Sequence, residues 1–90
     1  MGVADIVAQK LSAAFSPTEL LVEDESARHA GHSGSRPGGE THFRVRIVSN
    51  AFAGLSRVAR QRRVNGVLEA ELRGQVHALA MTVLTPDEVT

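Results

Sequence analysis

Apolar residues recur every fourth position at the start of the chain, at Val3, Val7, Leu11 and Phe15, with Ile6 and Ala14 widening the same face. That spacing predicts an amphipathic helix over 3–15, with Asp5 suiting its first turn and Pro17 stopping it. Residues 19–25 (ELLVEDE) switch to a strand pattern, Leu20 and Val22 on one side, Leu21 and Glu23 on the other. A glycine-rich run at 27–40 has no period and reads as loop, long enough for a functional role. The clearest strand is 42–49, where Phe43, Val45 and Ile47 alternate with Arg44 and Arg46. Asn50 to Gly54 turns the chain.

Ser56 is placed to cap a helix running to about residue 73, with Val64, Val67, Leu68 and Leu72 as its apolar stripe and Gly74 closing it. Gly66 weakens that helix by roughly 1 kcal/mol relative to alanine, so it must rely on packing. Arg57 and Arg60 continue the azimuth of the stripe, whereas Arg62 and Arg63 point to water. Residues 76–84 (VHALAMTVL) are nearly all apolar and predict a strand buried on both faces. Thr85 and Pro86 then start a helical stub. The order is α-β-β-α-β with an α stub. Two strands joined by a loop pair as an antiparallel hairpin, and a third arriving through a helix joins parallel to a neighbour. The expected fold is an α+β sandwich: one domain over residues 1–90, with helices on one face of a three-stranded mixed sheet.

Composition narrows the classes. At 90 residues and 42% hydrophobic, the chain supports one small core and is not a disordered tract. No apolar run approaches the ~20 residues of a membrane span, and the N-terminus fits neither a secretory signal nor a myristoylation site. A cytoplasmic protein is expected. The chain has no cysteine, which excludes a disulfide, a zinc finger and a thiol nucleophile. Net charge is zero, but residues 1–27 hold five acids against Lys10 alone, and residues 41–68 hold six arginines and no acid. A local basic face is therefore compatible with a neutral total.

Candidate chemistry concentrates in the histidines and the arginines. A single histidine is ordinarily a hydrogen-bonded or solvated side chain, and His42, facing the same side as Arg44, is read that way. His77 stands at the mouth of a strand just after the helix stop, where a scaffold can orient an imidazole for metal. His29 and His32 share the glycine-rich loop, but their spacing alone matches no zinc pattern. Arg57, Arg60, Arg62 and Arg63 form a basic helix start for a nucleic acid or a protein partner, against the plain reading of a solvated face. Gly54-Leu55-Ser56-Arg57 lacks the second glycine of a GXXG clamp, which disfavours RNA binding of that kind. The acids Glu23, Asp24 and Glu25 diverge along their strand, and no nucleophile–base pair emerges, so an enzyme is not expected.

Three stretches together resemble the BolA-like proteins: DES at 24–26, GETHFRVRIVSNAFAGLSRVARQRRV at 39–64 and ELRGQVHALAMTVLTP at 71–86. The resemblance spans essentially the whole chain in order. It departs at Arg60-Gln61-Arg62, where the family usually carries R-H-R. It implies a fold like the class II KH domain. It also implies a monothiol glutaredoxin as partner, with a [2Fe–2S] cluster shared through the glutaredoxin cysteine and glutathione on one side and this chain's side chains on the other. On that resemblance His77 matches one ligand and His29 the loop ligand, with His32 as the alternative. Two neutral imidazoles cannot hold such a cluster alone, so the isolated chain is expected to bind none and the thiolates must come from outside. Some bacterial members are described as DNA-binding transcriptional regulators, which makes promoter DNA, met by the basic helix at 57–63, the alternative partner. A homodimer in the cluster-free state is a further expectation.

Overall fold

The computed structural model describes residues 2–24 and 42–89. Helix α1 (Val3–Phe15) is followed by strand β1 (Glu19–Asp24) and strand β2 (His42–Val48). A 3-10 turn (Asn50–Phe52) leads to helix α2 (Arg57–Val67), short helix α3 (Glu69–Arg73), strand β3 (Ala78–Leu84) and a closing 3-10 turn (Pro86–Glu88). The sheet order is β1-β2-β3, antiparallel between β1 and β2 and parallel between β2 and β3. This is the mixed α+β sandwich that the patterning predicts.

The four apolar residues spaced four apart, Val3, Val7, Leu11 and Phe15, are all buried; of the two expected to widen that face, Ile6 is half-buried and Ala14 is exposed. The buried four pack on Phe43, Val45 and Ile47 of the central strand, together with Phe52, Val64, Leu68 and Val76. The Phe15 and Phe52 rings meet with centroids 4.7 Å apart, tilted by 43°, a separation within the range of interacting aromatic pairs. Leu20, Val22, Leu79, Met81 and Val83 complete the helix-covered side of the sheet. The opposite side carries Leu21, Glu23, Arg44 and Thr82, all exposed.

Two expectations are corrected. The strand at 76–84 is not buried on both faces: it begins at Ala78, occupies a sheet edge, and exposes Ala78, Ala80 and Thr82. Alanine counts as apolar in a pattern yet loses little by facing water, so the run mimics a doubly covered strand. The helix expected to run unbroken from Ser56 to residue 73 breaks at Leu68, whose φ of −99° and ψ of 18° leave the helical range. Bonds from Leu68 N–H to Val64 and from Leu72 N–H to Leu68 still bridge the break, at 3.1 and 2.9 Å. Gly66, just before it, offers no side chain to stiffen this turn. At the far end Gly74 closes α3 as predicted, its N–H bonding to the carbonyls of Ala70 and Glu71.

Ser49 ties the ends of these elements together. Its buried hydroxyl donates to the Phe15 carbonyl at 2.6 Å and accepts from Ala51 N–H at 3.1 Å. Its own N–H reaches the Leu84 carbonyl at 2.9 Å, and thus the end of β3. Ser49→Ala leaves the Phe15 carbonyl without its buried donor and the Ala51 amide without its acceptor. It is expected to lower stability by about 1–3 kcal/mol, read as a fall in the urea midpoint with unchanged slope.

Candidate metal-ligand and partner sites

The start of β3 presents His77. Immediately before it Val76 is buried, and its N–H bonds to the Glu71 carbonyl at 2.9 Å. Immediately after it Ala78 joins the ladder opposite His42. Glu71 is itself held by Lys10, whose Nζ lies 2.9 and 2.8 Å from its two carboxylate oxygens, tying α3 to α1. The backbone on both sides of His77 is therefore fixed while the residue itself is exposed. That arrangement orients a ligand at little entropic cost. His42 is half-buried and engaged in an interaction of its own.

His29 and His32 lie outside the described residues. The described chain breaks off at Asp24, opposite Phe43, and resumes at His42, opposite Ala78. Both ends of the intervening segment thus sit at the sheet end that carries His77. Among the described residues no group of three or more metal-ligating side chains converges. Any metal centre built on His77 therefore draws on ligands from outside the described residues.

The basic helix start divides into two kinds of arginine. Ser56 caps α2 as predicted, its hydroxyl accepting from Ala59 N–H at 3.1 Å. Arg57, Arg62 and Arg63 are exposed. Arg60 is only 8% exposed and its guanidinium is committed to the interior. Nε donates to the Leu55 carbonyl at 3.0 Å, Nη1 donates to the Val83 carbonyl at 3.2 Å, and the two terminal nitrogens grip both carboxylate oxygens of Glu88. A surface role for the basic helix therefore rests on Arg57, Arg62 and Arg63. Arg60 instead fastens the closing turn to α2 and β3. Gly54 adopts φ +77°, the left-handed conformation glycine favours, at the turn leading into α2, where a GXXG clamp would need a second glycine in place of Arg57.

Glu88 and the interior role of Arg60 were not singled out from the sequence, although both leave a signal there. Arg60 lies four residues before Val64 on the apolar stripe, which pointed it inward. Thr85-x-x-Glu88 has the form of a capping box, and Glu88 does accept from Thr85 N–H at 2.8 Å.

The comparisons with known proteins agree with this fold. The family model for BolA-like protein matches residues 11–88. Over 86 residues the chain is 44% identical to the DNA-binding transcriptional regulator BolA of Vibrio cholerae, covering 96% of this chain and 77% of that protein. It is 46% identical over 87 residues to SufE-like protein 1, chloroplastic/mitochondrial, of Arabidopsis thaliana, covering 92% of this chain but only 24% of that longer protein. In structure it is similar to the BolA domain of SufE1 from Arabidopsis thaliana, with a TM-score of 0.85, 44% identity and 99% of both chains covered.

The Arg60–Glu88 pair carries a pH signature. The bonds from the Arg60 guanidinium, helped by the Thr85 amide, hold the Glu88 carboxyl down from its ordinary 4.5 to about 2. The unfolded chain takes up this proton near the ordinary value and the folded chain only near the depressed one. The pair's stabilisation is thus complete above about 4.5 and is lost as pH falls towards about 2. Thermal unfolding at pH 6, 4 and 3 is expected to show Glu88→Gln less stable than wild type at pH 6, with the gap closing as pH falls.

Proposed function

The chain belongs to the BolA-like family, and on that premise we propose that it acts as the partner of a monothiol glutaredoxin. In this reading it supplies imidazole ligands to a [2Fe–2S] cluster that the two proteins share, in iron–sulfur homeostasis and redox regulation. The observation that carries the reading is His77: exposed, on a fixed backbone, at the sheet end where the segment bearing His29 and His32 begins and ends. The donor set fits the partnership. With no cysteine in the chain, the thiolates come from the glutaredoxin and from glutathione, and this chain contributes neutral nitrogen donors. Imidazole in place of thiolate raises the reduction potential of such a centre, which suits sensing or transfer. The chain's own part is to orient His77 through Val76 and the β3 ladder, and to bring a second histidine, His29 or His32, from the neighbouring segment. The role is non-enzymatic, and the setting is a reducing compartment such as the cytoplasm. No helix among the described residues is long and apolar enough to cross a membrane.

A second reading has its own support: the Vibrio cholerae relative is named a DNA-binding transcriptional regulator, and α2 contains four arginines and no acid. If that face grips DNA, changing Arg57, Arg62 and Arg63 together to alanine lowers the slope of log K against log salt by about three units. Unchanged affinity rejects the reading.

The first reading is tested by visible absorption and circular dichroism of the chain reconstituted with a monothiol glutaredoxin, glutathione, iron and sulfide. His77→Ala is expected to abolish the bands that depend on this chain. His29→Ala is expected to alter them or to let His32 take over. A His77→Ala complex with the wild-type spectrum removes His77 from the ligand set.

A further inference from the structure

The two edges of the sheet are defended differently. β1 carries Glu19, Glu23 and Asp24 along its length, charges that discourage another strand from pairing. β3, the other edge, is seven residues without a charge. Its hydrogen-bonding parity follows from two contacts. The Leu84 carbonyl accepts from Ser49 N–H on the β2 side, and the Val83 carbonyl accepts from Arg60 on the outer side. Alternation then turns the N–H and C=O of Leu79 and Met81, and the N–H of Val83, away from β2. Among the described residues these groups meet no partner.

A groove of about 600 Å³ runs beside this edge, lined by Leu55, Arg57, Gln61, Met81 and Val83 among others. Met81 to Leu84 line it as four consecutive residues, although their side chains alternate between sheet faces. What they share with the groove is the strand's backbone edge. Across the groove stands the start of α2. Arg60 there is neutralised by Glu88, but Arg57 forms no ion pair with a described residue, and the neighbouring Val58 is 57% exposed.

We propose that the outer edge of β3 and the adjoining groove form a strand-addition site for an acidic, extended segment of a partner protein. Such a segment pairs with Leu79 and Met81 through its backbone, and every second side chain enters the groove between Met81 and α2. A carboxylate there meets Arg57, which forms no ion pair with a described residue. Arg60 on the Val83 carbonyl marks where pairing stops. Double-stranded DNA can use the arginines but cannot satisfy a strand edge, so an extended peptide is the occupant that uses both features. The site needs neither cluster nor glutaredoxin, so its test is independent of the reading above.

The probe is a seven-residue peptide of alternating threonine and glutamate, added to the full ¹⁵N-labelled chain without iron. The expected result is a set of shifts at the amides of Leu79, Met81 and Val83, with slowed hydrogen exchange there. A threonine–lysine peptide and a threonine–glutamate peptide N-methylated along its pairing edge are expected to leave these amides unchanged. Arg57→Glu, at an exposed position, should weaken binding about fivefold or more, the size of one lost charge-assisted contact. The absence of binding overturns the proposal, as do shifts confined to α2. Protection of Leu79 and Met81 that grows with the concentration of the chain alone assigns the edge to a second copy instead. Duplex DNA that moves the β3 amides where the peptide does not assigns the face to nucleic acid, and either result overturns the peptide site.

Discussion

The guanidinium of Arg60 is where three separate parts of the chain are held together. It binds the Leu55 carbonyl ahead of α2, the Val83 carbonyl at the end of β3, and the Glu88 carboxylate in the closing turn. An arginine so nearly buried has to be paired and hydrogen-bonded, and the geometry supplies both. Lysine does not replace it, because a point ammonium cannot reach two carbonyls and both oxygens of a carboxylate at once. The bidentate grip also sets the end of the groove beside β3 and limits the basic surface to the three remaining arginines of α2.

The parallel pairing of β2 with β3 keeps two kinds of chemistry apart. His77 precedes the first residue of β3, and Arg57 and Arg60 at the start of α2 lie beside its last ones. Seven residues at about 3.3 Å each separate them by roughly 20 Å. A partner that ligates metal beside His77 and a segment that lies along the β3 edge therefore approach different ends of one strand. The Lys10–Glu71 pair serves the first end, anchoring α3 before the chain reaches His77.

How much of this was legible depends on what each residue answers to. Periodicity is a local signal, and it placed α1, β2, the Ser56 cap and the burial of Val3, Val7, Leu11 and Phe15. The mixed topology followed from the kind of connection read between strands, a loop before the second and a helix before the third. β3 was misread because strand position is a tertiary property: an apolar run looks the same at a sheet's centre and at its edge when alanine fills the open face. The break at Leu68 escaped for a similar reason, since the stripe from Val64 to Leu72 continues through it. At the candidate sites, the exposure of Arg62 and Arg63 was readable from the helix period. The partner of Arg60 was not, because Glu88 is distant in sequence and met only through the fold. Ser49 passed as one serine among several, since its hydroxyl bonds to a carbonyl more than thirty residues earlier. His29 and His32 lie outside the described residues.

The register between β2 and β3 also governs the order in which the protein can assemble. Every residue of β2 waits for a partner the same long interval further along, from His42 to Ala78 through to Val48 and Leu84. Contacts of this separation cost loop-closure entropy before they stabilise anything, which makes them late and slow. On a ribosome the antiparallel pair and α1 are complete while β3 is still unmade, leaving the apolar central strand open along one side. Until residues 78–84 emerge, that side is the place where a nascent chain is most exposed to wrong pairing, and where a chaperone has most reason to bind.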